Sequence, residues 1–124
     1  MTRTLSRLRY ALIFTAGMTM AQFAFAHAHL KHQYPAADAQ VEAAPQALTL
    51  NFSEGIEPQF SGVTVIGAEQ QSIKTGAVKR NENDKTQLIV PLEQPLKPGH
   101  YTVDWHVVSV DGHKTQGNYQ FSVK

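Results

Sequence analysis

The 124-residue chain contains no cysteine. That excludes a disulfide framework and thiolate metal ligation, so a small domain made from it must rely on its apolar core. Methionine is nearly absent too: Met1, Met18 and Met20 are all there are. Beyond residue 20 the chain therefore has neither thiolate nor thioether, the soft ligands that select Cu(I). Amphipathic helical periodicity is missing throughout, which argues against a helix bundle. There is no internal repeat, no low-complexity tail and no recognisable linker, so one domain is expected.

Long apolar runs are also lacking. The longest, Ala11 to Ala21, is too short to span a bilayer comfortably, and Gln22 interrupts its end. It follows Arg3, Arg7 and Arg9 and precedes Ala24-Phe25-Ala26, a small-x-small cleavage site. The order basic, apolar, small-x-small predicts a secretory signal peptide over residues 1–26, with a membrane anchor as the competing reading. Cleavage after Ala26 makes His27 the new amino terminus; Ala26-His27-Ala28 offers a second small-x-small site that would leave His29 first. Residues 27–124 hold all ten acidic residues and eight of the eleven basic ones, a net charge of −2. A weakly acidic module with dispersed charge does not suit nucleic acid as a partner.

What the mature part does contain is strand signal. His27 to Tyr34 alternates loosely and stops at Pro35. Ala36 to Gln46 reads as a loop or a single helical turn. Leu48-Thr49-Leu50-Asn51-Phe52 alternates apolar and polar. Gly62 to Gly67 encloses a β-branched run. Ser72 to Val78 is a weaker strand broken by Gly76. Arg80 to Lys85 reads as a solvated turn, and Leu88-Ile89-Val90 as a short buried strand ended by Pro91. After the Pro98-Gly99 turn, Tyr101, Val103, Trp105 and Val107 alternate with polar residues, and Tyr119, Phe121 and Val123 do the same. About seven short strands with regular turn signals predict an all-β, Ig-like Greek-key sandwich.

All six histidines follow residue 26: His27, His29, His32, His100, His106 and His113. Asp111 and His113 are two apart, so on a strand or strand end they share a face. A carboxylate beside an imidazole is half a metal site; Asp111-Gly112 as an ordinary polar turn is the bland alternative. The freed amine and ring of His27 would supply the rest. Such donors suit borderline cations, Cu(II), Ni(II) or Zn(II). A histidine at position three, His29, can also chelate through intervening backbone amides, and Ala28 permits this because it has an amide hydrogen to lose. Glu54 is a candidate to orient a ligating ring. His106 faces away from Trp105 by alternation, and His32 and His100 read as surface or structural.

Taken in order, the chain resembles the CopC family of periplasmic copper-binding proteins. The resemblance lies in the start at His27, Tyr34-Pro35, Leu50-Asn51-Phe52-Ser53-Glu54, Phe60-Ser61-Gly62 and Leu96-Lys97-Pro98-Gly99-His100-Tyr101. It continues through Val103-Asp104-Trp105, Val108-Ser109-Val110-Asp111-Gly112-His113 and Gly117-Asn118-Tyr119-Gln120-Phe121. No single motif is very specific; the series is. The resemblance implies one Cu(II) per chain, held by the amine and ring of His27 with Asp111 and His113, with His29 a possible auxiliary. It implies a monomeric periplasmic carrier or buffer in copper homeostasis or resistance, not an enzyme, and a CopD-type inner-membrane transport partner. The chain departs from members with a methionine-rich Cu(I) site, because Gly67 to Lys79 contains neither Met nor His.

Two other functions fit parts of the pattern. An amino-terminal histidine with a second histidine also builds the copper site of lytic polysaccharide monooxygenases, but here the chain is short and Asp111 would fill a position that oxygen chemistry needs open. An Ig-like adhesion module with an incidental histidine start predicts no tight metal binding. A hydrolase fits less well: Ser109, Asp111 and His113 lie too close along one segment to present an ordinary Ser-His-Asp constellation, and no nucleophile elbow is present.

Overall fold

The 101–107 alternation becomes a ten-residue strand whose inward positions Tyr101, Val103, Trp105 and Val107 are all buried. It pairs in antiparallel register with a second ten-residue strand, from Gly99↔Val123 to Val108↔Lys114. The computed structural model describes residues 28–124; the expected leader and His27 lie outside the described residues. Nine strands are present among them: β1 Leu30–Tyr34, β2 Gln40–Val41, β3 Ala47–Phe52, β4 Gly62–Ile66, β5 Ser72–Ile73, β6 Lys79–Asn81, β7 Asp84–Pro91, β8 Gly99–Val108 and β9 Lys114–Val123. They form two sheets, β1-β3-β7-β6 and β2-β9-β8-β4-β5, with crossovers between non-consecutive neighbours. This is the expected all-β, two-sheet sandwich. Among the described residues no helix is long and apolar enough to cross a membrane.

The core is filled from both inner faces. Leu48, Leu50 and Phe52 of β3 and Leu88 and Val90 of β7 meet Val65, Val103, Val107 and Phe121 from the opposite sheet, all nearly or fully buried. Trp105 packs edge-on against Phe52, ring centroids 5.1 Å apart, and Tyr101 stacks on Phe121 at 5.5 Å. The indole lies flat beneath β9 because the residue facing it is Gly117, where a Cβ would come within 2.6 Å of the ring. Truncating any of these side chains removes apolar contact and opens a cavity that the packed sheets cannot collapse to fill.

Three local expectations are corrected. Ala36 to Gln46 is neither plain loop nor helical turn: it contains β2, paired in parallel with Ser122 and Val123. The weaker strand over Ser72 to Val78 shrinks to Ser72–Ile73. Arg80 to Lys85 is not a free turn, since its ends belong to β6 and β7; only Glu82 and Asn83 remain between them. Arg80 is half-buried and donates to the Ile56 carbonyl at 3.1 Å, so a residue that looked solvated ties β6 to the β3–β4 connection.

Candidate metal centre

Alternation along β8 does not stop at Val107. It carries one position further, to Ser109, which is fully buried. The five residues Ser109 to His113 then close the β8–β9 hairpin around that hydroxyl. Ser109 N–H donates to the His113 carbonyl at 2.9 Å, and Gly112 N–H donates to the Ser109 carbonyl at 2.8 Å. Gly112 adopts φ 90°, a left-handed bend that glycine takes without strain. The Ser109 hydroxyl donates to Asp111 Oδ1 and accepts the His113 N–H at 3.3 Å. A buried residue thus anchors a loop whose chemistry faces outward.

Asp111 and His113 do come together. His113 Nδ1 lies 3.1 Å from Asp111 Oδ1, and the His113 N–H reaches the same oxygen at 3.4 Å. With its proton on Nδ1, the ring carries its lone pair on Nε2, the nitrogen suited to a metal. These donors, with the Ser109 hydroxyl, converge on Oδ1. The Ser109 hydroxyl first, and the His113 ring second, hold the Asp111 carboxyl below the usual carboxylate range; desolvation opposes them. The pair is accessible: the side chains of His113 and Asp111 are 47% and 38% exposed. An ionised, preoriented carboxylate and a lone-pair nitrogen at the surface are a fit for a borderline cation.

The neighbouring connection braces this loop. Val110 N–H donates to the Gly55 carbonyl at 2.9 Å, Glu57 N–H to the Val108 carbonyl at 2.9 Å, and Val108 N–H to Ser61 Oγ at 3.1 Å. Glu54 precedes Gly55 and is half-buried beside the loop. On the other side, Thr115 Oγ1 donates to the Ala28 carbonyl at 2.9 Å. His29 N–H donates to Ser53 Oγ at 2.9 Å, and Ser53 N–H returns a bond to the His29 carbonyl at 2.9 Å. Ala28 is buried, and the His29 side chain is exposed.

The remaining histidines stand apart from the pair in role. His32 is exposed on β1 opposite Asn51, and His100 is exposed opposite Ser122 at the start of β8. His106 is exposed, as its position next to Trp105 implies, and its ring lies over Gly62. Among the described residues no group of three or more His, Cys, Asp or Glu could hold a metal; Asp111 and His113 are two donors, and His27 lies outside that set.

Sequence reasoning missed Ser109, Ser53 and Thr115. The signal for two of them was available: Ser109 and Thr115 occupy inward positions of otherwise apolar alternations, where a hydroxyl must find a partner. Ser109→Ala is expected to lower stability by about 1–3 kcal/mol, because the loop loses its internal donor and acceptor. Urea denaturation should show a reduced midpoint with an unchanged slope.

Comparison with known proteins converges. Residues 30–124 match the CopC domain. The chain is 62% identical to protein YobA of Escherichia coli K12 over 124 residues, covering 100% of each. Its fold is similar to the crystal structure of CopC from Methylosinus trichosporium OB3b, with TM-score 0.74 and 30% identity, covering 79% of this chain and 94% of that one. It is also similar to PcoC, a methionine-rich copper resistance protein of Escherichia coli, with TM-score 0.73 and 36% identity over 80% and 100% of the two chains.

Proposed function

The chain belongs to the CopC family, and from that premise we propose that it is an exported, periplasmic Cu(II) carrier or buffer in copper homeostasis or resistance. One Cu(II) per monomer is held by the amine and ring nitrogen of a processed His27, by His113 Nε2 and by an Asp111 oxygen. The observation that carries the reading is the Asp111–His113 pair, built around buried Ser109 and lying two residues from Thr115, which bonds Ala28. What supports including His27 is its covalent bond to Ala28, one Cα step of about 3.8 Å, with Thr115 a span of roughly 7 Å along the strand from His113.

Three nitrogens and one carboxylate oxygen match the tetragonal preference of Cu(II). They also fill the coordination plane, which favours carriage over catalysis and disfavours the monooxygenase-like alternative. The choice of Cu(II) rests on this chain's own composition, in contrast to methionine-rich PcoC. This chain has no Met after residue 20 and no Cys, so nothing soft is present to stabilise Cu(I). Export rests on the Arg3–Ala26 leader pattern. A CopD-type membrane transporter is the partner that would supply or receive the ion. In this reading Glu54 is the candidate to orient a ligating ring and His29 an auxiliary ligand, with its backbone N–H engaged by Ser53.

The test is a competitive Cu(II) titration of protein beginning at His27, followed by electron paramagnetic resonance, with His113→Ala as the comparison. Losing the ring should weaken binding by about 100-fold or more, since even a partner outside the coordination sphere is worth about 10–100-fold. Equal affinity in the two proteins would sink the assignment. Peroxide formation with ascorbate, together with polysaccharide cleavage, would instead favour the enzyme.

A further inference from the structure

A single peptide unit, Ala28–His29, is gripped from both sheets. Its carbonyl accepts Thr115 Oγ1, from β9, at 2.9 Å. Its N–H donates to Ser53 Oγ, just past β3, at 2.9 Å. Ser53 N–H then donates to the next carbonyl, that of His29, at 2.9 Å. Ala28 is 1% exposed. The plane of this peptide is fixed between the two halves of the sandwich immediately beside the residue that supplies the amine.

This matters because His27-Ala28-His29 can bind metal in two exclusive ways. The first is the site with Asp111 and His113. The second is a chelate of four nitrogens: the amine, the amide nitrogens of Ala28 and His29, and the His29 ring. To form it, both amides must release their protons to solvent and turn their lone pairs toward the ion. Both modes use the same amine, so they compete. The second requires the His29 N–H that Ser53 holds, and it requires the buried Ala28 to leave its place beneath Thr115. It also differs in selectivity. An amine, imidazoles and a carboxylate favour Cu(II) over Ni(II) by the ordinary order of divalent affinities. Ionised amides impose a strong, planar field that also retains Ni(II) tightly.

We propose that Ser53 and Thr115 are selectivity residues, which pin the Ala28–His29 peptide, deny its nitrogen to the metal and thereby keep the folded amino terminus from capturing Ni(II). The inference rests on the copper reading above, because it needs a free amine at His27. It goes beyond that reading by assigning metal discrimination to two hydroxyls that never touch the ion.

The experiment is a Ni(II) titration of protein beginning at His27, in mildly alkaline buffer, read by visible absorption and circular dichroism. Amide-bound planar Ni(II) is yellow and optically active; wild-type protein unfolded in denaturant supplies the reference spectrum. Native wild type is expected to lack it. The Ser53→Ala/Thr115→Val double variant is expected to acquire it while retaining native near-ultraviolet dichroism, with Ni(II) bound at least about tenfold more tightly, a measurable fraction of the 10–100-fold typical of residues outside the coordination sphere. Ser53→Ala alone, which keeps the Thr115 bond, gives the reading if the double variant does not fold. Ser53→Thr should restore wild-type behaviour, and adding His29→Ala should erase the new spectrum. The proposal is overturned if native wild type already forms the amide-bound complex, or if the folded variants remain silent. In the latter case an unchanged Cu(II) deficit in His113→Ala leaves the copper reading intact, so the two failures are distinguishable.

Discussion

One alanine added ahead of His27 is expected to weaken Cu(II) binding on the order of 1,000-fold relative to protein that begins at His27, beyond the roughly 100-fold ceiling for groups outside the coordination sphere. The added residue converts a basic amine into an amide nitrogen whose lone pair is delocalised, so one donor disappears outright. It would also break the small chelate proposed for the amine and ring of His27, so the ring would be captured without the advantage of an already bound neighbour. The fold has no reason to change. Ala28 keeps its bond from Thr115, His29 keeps both bonds to Ser53, and the core lies behind them. Equal thermal unfolding of the two apo proteins, with a large gap in competitive Cu(II) titration and a changed electron paramagnetic resonance signal, is the expected outcome. If the extended protein binds as tightly, the amine is not a donor and the site must be assembled from internal histidines.

The parts of this architecture that sequence reveals are those in which one residue type repeats against water. β8 and β9 were legible because Tyr101, Val103, Trp105 and Val107, and Tyr119, Phe121 and Val123, alternate with exposed polar residues and form the inner face. β6 was not: Lys79-Arg80-Asn81 is an edge strand held by pairing with β7, and its polar composition mimics a turn. β2 is two residues long and is defined by the far end of β9, a partner about 80 positions away that no local pattern reports. The same division runs through the site. Asp111 and His113 announce themselves by chemistry and spacing. Ser53 and Thr115 act on backbone atoms of Ala28 and His29, so no side-chain pairing rule connects them to the amino terminus. Ser109 was the intermediate case: a serine in a turn is unremarkable, and only by following the inward register of β8 past Val107 does it become a buried hydroxyl that needs partners.

Acidification from pH 8 to pH 5 is expected to weaken Cu(II) binding by about 300- to 500-fold through the amine alone. An α-amine has an ordinary pKa of about 7.7–8.0 and must be unprotonated to coordinate. Below that value each pH unit costs about one power of ten in affinity for each proton the metal must displace. Asp111 does not add to this slope over the same interval. Its folded pKa is depressed by the Ser109 hydroxyl and then the His113 ring, so it is ionised there already. Its contribution is present above the unfolded carboxylate value and is lost only as pH falls through the still lower folded one. In the proposed site, acid is therefore expected to release copper from its nitrogen side while the carboxylate remains charged. Competitive titrations at pH 8, 7, 6 and 5 should give a logarithmic slope of about one or steeper per pH unit in the protein beginning at His27. The alanine-extended protein has no amine at that position and should lose one unit of that slope. A slope unaffected by the extension would mean that the proton released on binding comes from an imidazole, and that His27 contributes its ring without its terminus.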